Sequence, residues 1–191
     1  MNIKLFWITL VLASVLLLAG CQAEDRPALA VPQGAQAGDL TQMQPCEYQP
    51  LDSQAKYSAE CGTLAVPENW EKASSRLIAL PVVRIPAREQ QPAEPVFYLQ
   101  GGPGQSNLSW APPDWLLAKH DLVFVGYRGI DGTVRLSCPE LSRPLKAHLG
   151  KDFFSDQAQA EYAAAVKQCA ASHQQAGVDL SGYTVPAVIQ D

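Results

Sequence analysis

Four consecutive residues, Gly101-Gly102-Pro103-Gly104, carry the most specific chemical signal in this chain. They follow the apolar run Val96-Phe97-Tyr98-Leu99 and the polar Gln100. Acyl transfer builds negative charge on a carbonyl oxygen, and backbone N–H groups fixed in a tight turn meet that charge without reorganising. One such donor contributes about 2.7–4 kcal/mol to transition-state stabilisation. Glycines let a backbone approach a substrate closely, and Pro103 stiffens the loop. A plain turn after a strand uses the same residue types. What favours the chemical reading is a second apolar run, Asp121-Leu122-Val123-Phe124-Val125, which ends in Gly126-Tyr127-Arg128-Gly129. A phosphate loop is excluded, because neither Gly-x-x-x-x-Gly-Lys-Ser/Thr nor Gly-x-Gly-x-x-Gly spacing is present.

A nucleophile to work with this turn is harder to find. Gly104-Gln105-Ser106-Asn107-Leu108 holds half of a Gly-x-Ser-x-Gly pattern and lacks the last glycine. His120, His148 and His173 are single and scattered, and they read as loop or packing residues. Asp121 and Asp131 lie near turns and read as caps or solvated charges. Removing the serine or histidine of a catalytic triad costs about 10⁶ in turnover. Catalytic side chains are therefore not expected among these residues. The expectation is a chain that stops at Asp191 before its nucleophile turn and is inactive alone.

With these residues in view, the segment resembles the start of an α/β-hydrolase of the proline-iminopeptidase and tripeptidyl-aminopeptidase group of serine peptidases. The likeness rests on the Gly-Gly-Pro-Gly turn, the Arg128-Gly129 turn, Cys61-Gly62-Thr63-Leu64, and Asn69-Trp70 after Val66-Pro67, and it covers roughly residues 60–191. It implies that Gly102, with Gly101 beside it, presents one oxyanion N–H. It also implies that Gln100, Pro103 and Gly104 border the substrate. Arg128 and Gly129 would shape the loop beneath. Many members carry His where this chain has Gln100, and Asp where it has Gly126. The family's Ser, Asp and His come later in the chain, and its second oxyanion N–H follows the nucleophile. The implied activity is cleavage of a peptide, or of a small ester or amide, by Ser-His-Asp chemistry, with no cofactor. The alternative is a non-catalytic envelope lipoprotein that binds a peptide or protein partner.

The elements that must position this turn can be outlined from pattern. Gly62 to Val66 reads as a strand ended by Pro67, and Arg76 to Ile85 as a second strand. Pro81 inside the second favours an edge or a bulge. Together they predict an antiparallel start to a mostly parallel sheet, the N-terminal and incomplete portion of an α/β fold. Val96–Leu99 and Leu122–Val125 are continuous apolar runs, as in strands covered on both faces. If their neighbours are missing, the isolated chain should fold poorly and expose an apolar edge. A short helix is expected over Asp114–Lys119. A long one is expected from Asp156 to Ala176, capped by Ser155 or Asp156, ended by Gly177, with Tyr162, Val166, Cys169 and His173 inward. Another helix opens near Thr184.

Residues 1–20 have the form of an export signal: a lysine at position 4, an apolar run from Leu5 to Leu18, then Ala19-Gly20-Cys21. The apolar run is shorter than the ~20 residues a membrane-spanning helix needs. Cys21 in that place resembles a bacterial lipoprotein site, which implies a lipid on Cys21 that tethers the protein to a membrane. Gln22 after it points weakly to the outer membrane. Residues 21–45 read as a flexible stalk, and residues 46–191 as the folded part. The net charge of −5 and the lack of a basic run argue against nucleic acid. Cys46, Cys61, Cys138 and Cys169 can pair in three ways, and the short loops favour Cys46–Cys61 with Cys138–Cys169. No Cys-x-x-Cys or paired histidine spacing points to a metal.

Overall fold

The computed structural model describes residues 28–51, 53–102 and 104–191. Five strands form one mixed sheet: β1 (Gln44–Tyr48), β2 (Tyr57–Pro67), β3 (Leu77–Ile85), β4 (Ala93–Phe97) and β5 (His120–Val125). Their order is β1-β2-β3-β5-β4. The first three run antiparallel to their neighbours, and β3 is also antiparallel to β5. The β4–β5 pair is parallel. The chain therefore passes from β3 beyond β5 to β4, then returns through α1 (Asp114–Lys119) to fill the gap. With helices packed on the sheet, this is an α/β architecture.

β3 is buried along nearly its whole length because both faces are covered. Val83 and Ile85 join Tyr48, Leu117, Leu122 and Phe124 in one core cluster. Ile78 and Leu80, of opposite parity along the strand, pack with Val66, Trp70 and Val134 in a second. The apolar run of β5 predicts cover on both faces; Leu122 and Phe124 on one face are fully buried, while Val123 and Val125 on the other are only partly covered.

Three other expectations need correction. Pro81 lies in an interior strand with no bulge against β2. Thr63, its partner across that ladder, receives the Thr41 N–H at 3.0 Å and donates its own N–H to Thr41 Oγ1 at 2.8 Å, on the far side. The missing proline N–H thus costs no β2 bond. On the other side the β3–β5 ladder ends at Val82, and Pro81 offers only its carbonyl, to Gly126 N–H at 2.8 Å. Second, the strand predicted over Val96–Leu99 is Ala93–Phe97 and is the outer strand of the described sheet. Among the described residues nothing covers Phe97, which is 62% exposed, or Leu99 just beyond, which is 70% exposed. Third, Val166 faces solvent, and the inward stripe of the long helix is Ala158, Ala165 and Cys169. Ala165 lies three residues after Tyr162, and the helix can approach its neighbours closely there because only small side chains intervene.

The remaining helices are α2 (Ser142–His148), α3 (Asp156–Gln175) and α4 (Val185–Gln190). Ser155 caps α3 by accepting from Ala158 N–H, and Thr184 caps α4 through Ala187 N–H. α3 packs on α2 and on the 3-10 turn Pro139–Leu141. Part of the expected stalk belongs to the fold: Asp39 and Gly38 exchange backbone hydrogen bonds with Ala65, and Leu40 bridges Leu64. Residues 1–27, with Cys21 and the export signal, lie outside the described residues. Among the described residues no helix is long and apolar enough to cross a membrane.

Both disulfides form as the loop lengths favoured. Cys46–Cys61 crosses the β1–β2 pair with Cα atoms 5.9 Å apart. Cys138–Cys169 ties the Pro139–Leu141 turn to α3, with Cα atoms 5.4 Å apart. Bonds closing loops of these lengths, 15 and 31 residues, each contribute about 3–4 kcal/mol in the chain-entropy model. They fit an oxidising compartment.

Candidate functional site

The glycine turn leaves the sheet where β4 ends, beside the turn that follows β5. In open sheets with parallel strands, ligand crevices lie beyond the carboxyl ends of those strands. A cleft of about 540 Å³ opens there, lined by Gln100, Gly102 and Gly104 on one side. Ile130, Leu136, Tyr183, Val185 and Val188 form much of the rest. Gly102 sits at φ 99°, a conformation that disfavours any side chain. Its carbonyl accepts from Gln105 N–H at 3.3 Å. Among the described residues, no protein acceptor takes up the Gly101 or Gly102 N–H. Pro103, the third position of the turn, lies outside the described residues.

What fixes the turn is Gln100. Its N–H donates to Asn107 Oδ1 at 2.6 Å, and its carbonyl accepts from the Tyr127 hydroxyl at 3.2 Å. Its side-chain oxygen accepts from the Tyr98 hydroxyl. Tyr98 is itself stacked on Trp110, with ring centroids 4.2 Å apart. Asn107 is 1% exposed and donates through Nδ2 to Val125 O at 2.7 Å. One buried amide thus joins the end of β4 to the end of β5. Pinning of this kind keeps donors from paying reorganisation when charge develops.

The second turn is held in the same way. Asp131 accepts Ser106 Oγ–H at 2.8 Å and Tyr127 N–H at 3.0 Å. Ser106 also accepts Leu108 N–H, so it caps the 3-10 turn Asn107–Ser109. Ser106 is buried and has a carboxylate, not an imidazole, as its partner, which gives it a structural role. Gly126 is pressed between Pro81 and Asp131: a Cβ there would meet side-chain carbons of both at 2.7 Å. A larger side chain at this position would have to displace them.

Arg128 anchors the whole corner. Its side chain is 1% exposed and donates to the carbonyls of Pro67 at 3.1 Å, Glu68 at 2.8 Å and Gly182 at 2.7 Å. Its Nε donates to Asp191 Oδ2 at 2.7 Å, and its Nη2 pairs with Oδ1. Trp70 Nε1–H donates to the same carboxylate at 2.9 Å. The arginine is a brace, as the sequence suggested, and its charge is spent. Glu68, also buried, accepts from Arg76 at 2.7 Å and from the Tyr183 hydroxyl at 2.8 Å. Burial alone would push its carboxyl up, but those hydrogen bonds hold it below the ordinary carboxylate range. Burial, reinforced by Glu68, pushes the Tyr183 hydroxyl up, so it stays protonated.

The histidines do not gather. His120 Nδ1 contacts Glu94 O at 2.7 Å at the far end of the parallel pair. His148 pairs with Glu161 at 3.0 Å, and His173 Nε2 contacts Ser137 O at 3.0 Å. Asp121, expected as a cap or solvated charge, pairs with Arg84 at 2.6 Å and accepts Ala87 N–H at 2.8 Å. Those bonds outweigh burial and lower its pKa. The ligand atoms of Cys138, Cys169 and His173 lie within 4.8 Å of one another, but both sulfurs are joined in the disulfide and are not thiolates.

Of the residues singled out in the sequence, Gln100, Gly102, Gly104 and Arg128 line the cleft. Sequence reasoning read Asp131 as a cap or solvated charge, and Asp131 accepts the Tyr127 N–H; it missed Asn107, Tyr127 and Asp191, whose partners lie 4–121 positions away. The chain matches no protein-family model and no curated protein.

Proposed function

We propose that this chain is the oxyanion-hole side of an exported, lipid-anchored serine α/β-hydrolase of the proline-iminopeptidase and tripeptidyl-aminopeptidase type. Its Ser-His-Asp set is carried by sequence outside these 191 residues, and the chain by itself is inactive. The observation that carries the reading is the clamped Gln100, which presents Gly101 and Gly102, with no protein partner for their amides among the described residues, at the mouth of a cleft. Donors in that state suit a developing alkoxide. The parallel β4–β5 pair ending at both glycine turns agrees with it. The substrate is a peptide, or a small ester or amide: the serine adds to its carbonyl, collapse of the adduct expels the protonated amine or alcohol as the acyl-enzyme forms, and water then hydrolyses that ester. Lipid on Cys21 holds the enzyme to the membrane, and the disulfides suit the compartment beyond it.

A fluorophosphonate probe tests this. A polypeptide extended past Asp191 should label at one serine, and the 191-residue chain should not label. Labelling of Ser106 in the present chain would overturn the assignment. A silent extended protein would favour the non-catalytic, partner-binding lipoprotein instead.

A further inference from the structure

The cleft in front of Gly102 contains more than an oxyanion cradle, and its chemistry is one-sided. We infer that it is a subsite for a bulky, uncharged, apolar group on the acyl side of the substrate, an inference that rests on the hydrolase reading above. Leu136 and Tyr183 pack beneath Gly129, each with a carbon 3.0 Å from where its Cβ would stand, and form the floor. Ile130, Val185 and Val188 supply the wall.

No free charge answers a charged substituent there. Arg128 is the only ionisable lysine, arginine, histidine or carboxylate side chain among the described lining residues. Its guanidinium is already bound by Asp191 and by three main-chain carbonyls. The Tyr183 hydroxyl is committed to Glu68, and the Tyr127 hydroxyl to Gln100. At the floor, away from the Gly101 and Gly102 amides, an ammonium or carboxylate would lose water and gain no counter-charge, which is heavily disfavoured. An apolar group loses nothing polar and gains about fourfold in affinity per buried methylene. A volume of about 540 Å³ admits a leucine- or phenylalanine-sized group. The same chemistry could arrive as the side chain of a peptide or as the acyl chain of an ester.

Two-dimensional ¹H–¹⁵N spectra of the isotope-labelled 191-residue chain provide the test, since binding needs no nucleophile. N-acetyl amides of leucine and phenylalanine should shift the Gly102, Gly104 and Gly129 amides. N-acetylglycine amide should bind at least tenfold more weakly, and the lysine and glutamate analogues should leave those amides unmoved. Ethyl 4-methylpentanoate, compared with N-acetylleucine amide, separates the ester source from the peptide source. Leu136→Trp, which fills the cleft, should abolish the shifts. Val188→Ala, a gentler change, should weaken binding several-fold and keeps the test valid if the first variant misfolds. Equal or tighter binding of a charged analogue, no shift with any probe, or full binding by Val188→Ala would overturn the inference. Failure of the hydrolase reading would register separately, as a silent fluorophosphonate experiment on the extended protein.

Discussion

Asn107→Ala removes the buried side chain that bonds both strand ends beneath the glycine turn. Two hydrogen bonds disappear, Gln100 N–H to Oδ1 at 2.6 Å and Nδ2–H to Val125 O at 2.7 Å. The backbone groups left behind are not rebuilt elsewhere, because Asn107 is 1% exposed and its site excludes most water. Each orphaned buried group costs about 1–3 kcal/mol. Gln100 and Val125 are themselves only half-buried, so some rehydration follows and the lower part of that range applies to each. The sum is about 2–4 kcal/mol, equivalent to a fall in Tm of roughly 5–15 °C for a chain of this size. Urea unfolding followed by circular dichroism at micromolar concentration measures it, with the slope checked for constancy between variants. Hydrogen exchange reports the local consequence: the Gln100 amide, which loses its Asn107 acceptor, should exchange at least tenfold faster, while amides of β2 and β3 change only by the global loss. Asn107→Asp keeps the acceptor for Gln100 but turns an oxygen toward Val125 O, so it should be no better than alanine. A loss below about 0.5 kcal/mol in both variants, with unchanged exchange at the Gln100 amide in Asn107→Ala, would refute the clamp.

Gly126→Ala should cost about 1–3 kcal/mol by overpacking against Pro81 and Asp131, and calorimetry would show it; Gly126→Asp should cost more. Asp191→Ala leaves the Arg128 guanidinium buried without its counter-charge and should destabilise by about 3–5 kcal/mol in denaturant titration. Stability should also fall in acid. Glu68 and Asp121 are held below their ordinary values of 4.5 and 3.8, so the unfolded chain binds protons first. Their contribution is complete above those values and is lost as pH drops through the lower folded values. Unfolding midpoints measured from pH 6 to pH 2 should show the fall, and Asp121→Asn should flatten it. Leu99→Lys at the exposed margin beside β4 should reduce aggregation in light scattering without lowering Tm, because the leucine is 70% exposed.

The sequence by itself determined the features that depend on neighbours along the chain. Capping of α3 by Ser155, the opening of a helix near Thr184, the short helix over Asp114–Lys119, the strand β5 and the glycine turn after β4 all follow from local pattern, which backbone geometry enforces within a few residues. Loop length sufficed for the disulfides as well. Tertiary structure alone decided where Pro81 could sit, since that depended on which of its two edges carried a ladder at that point. It alone decided that β4 is the outer strand, and that Ala165 rather than Val166 faces inward on α3. The site divides along the same line. Glycine and proline announce a turn through their own dihedral limits, whereas Asn107, Asp131 and Asp191 act through partners that only the folded chain brings within hydrogen-bond reach.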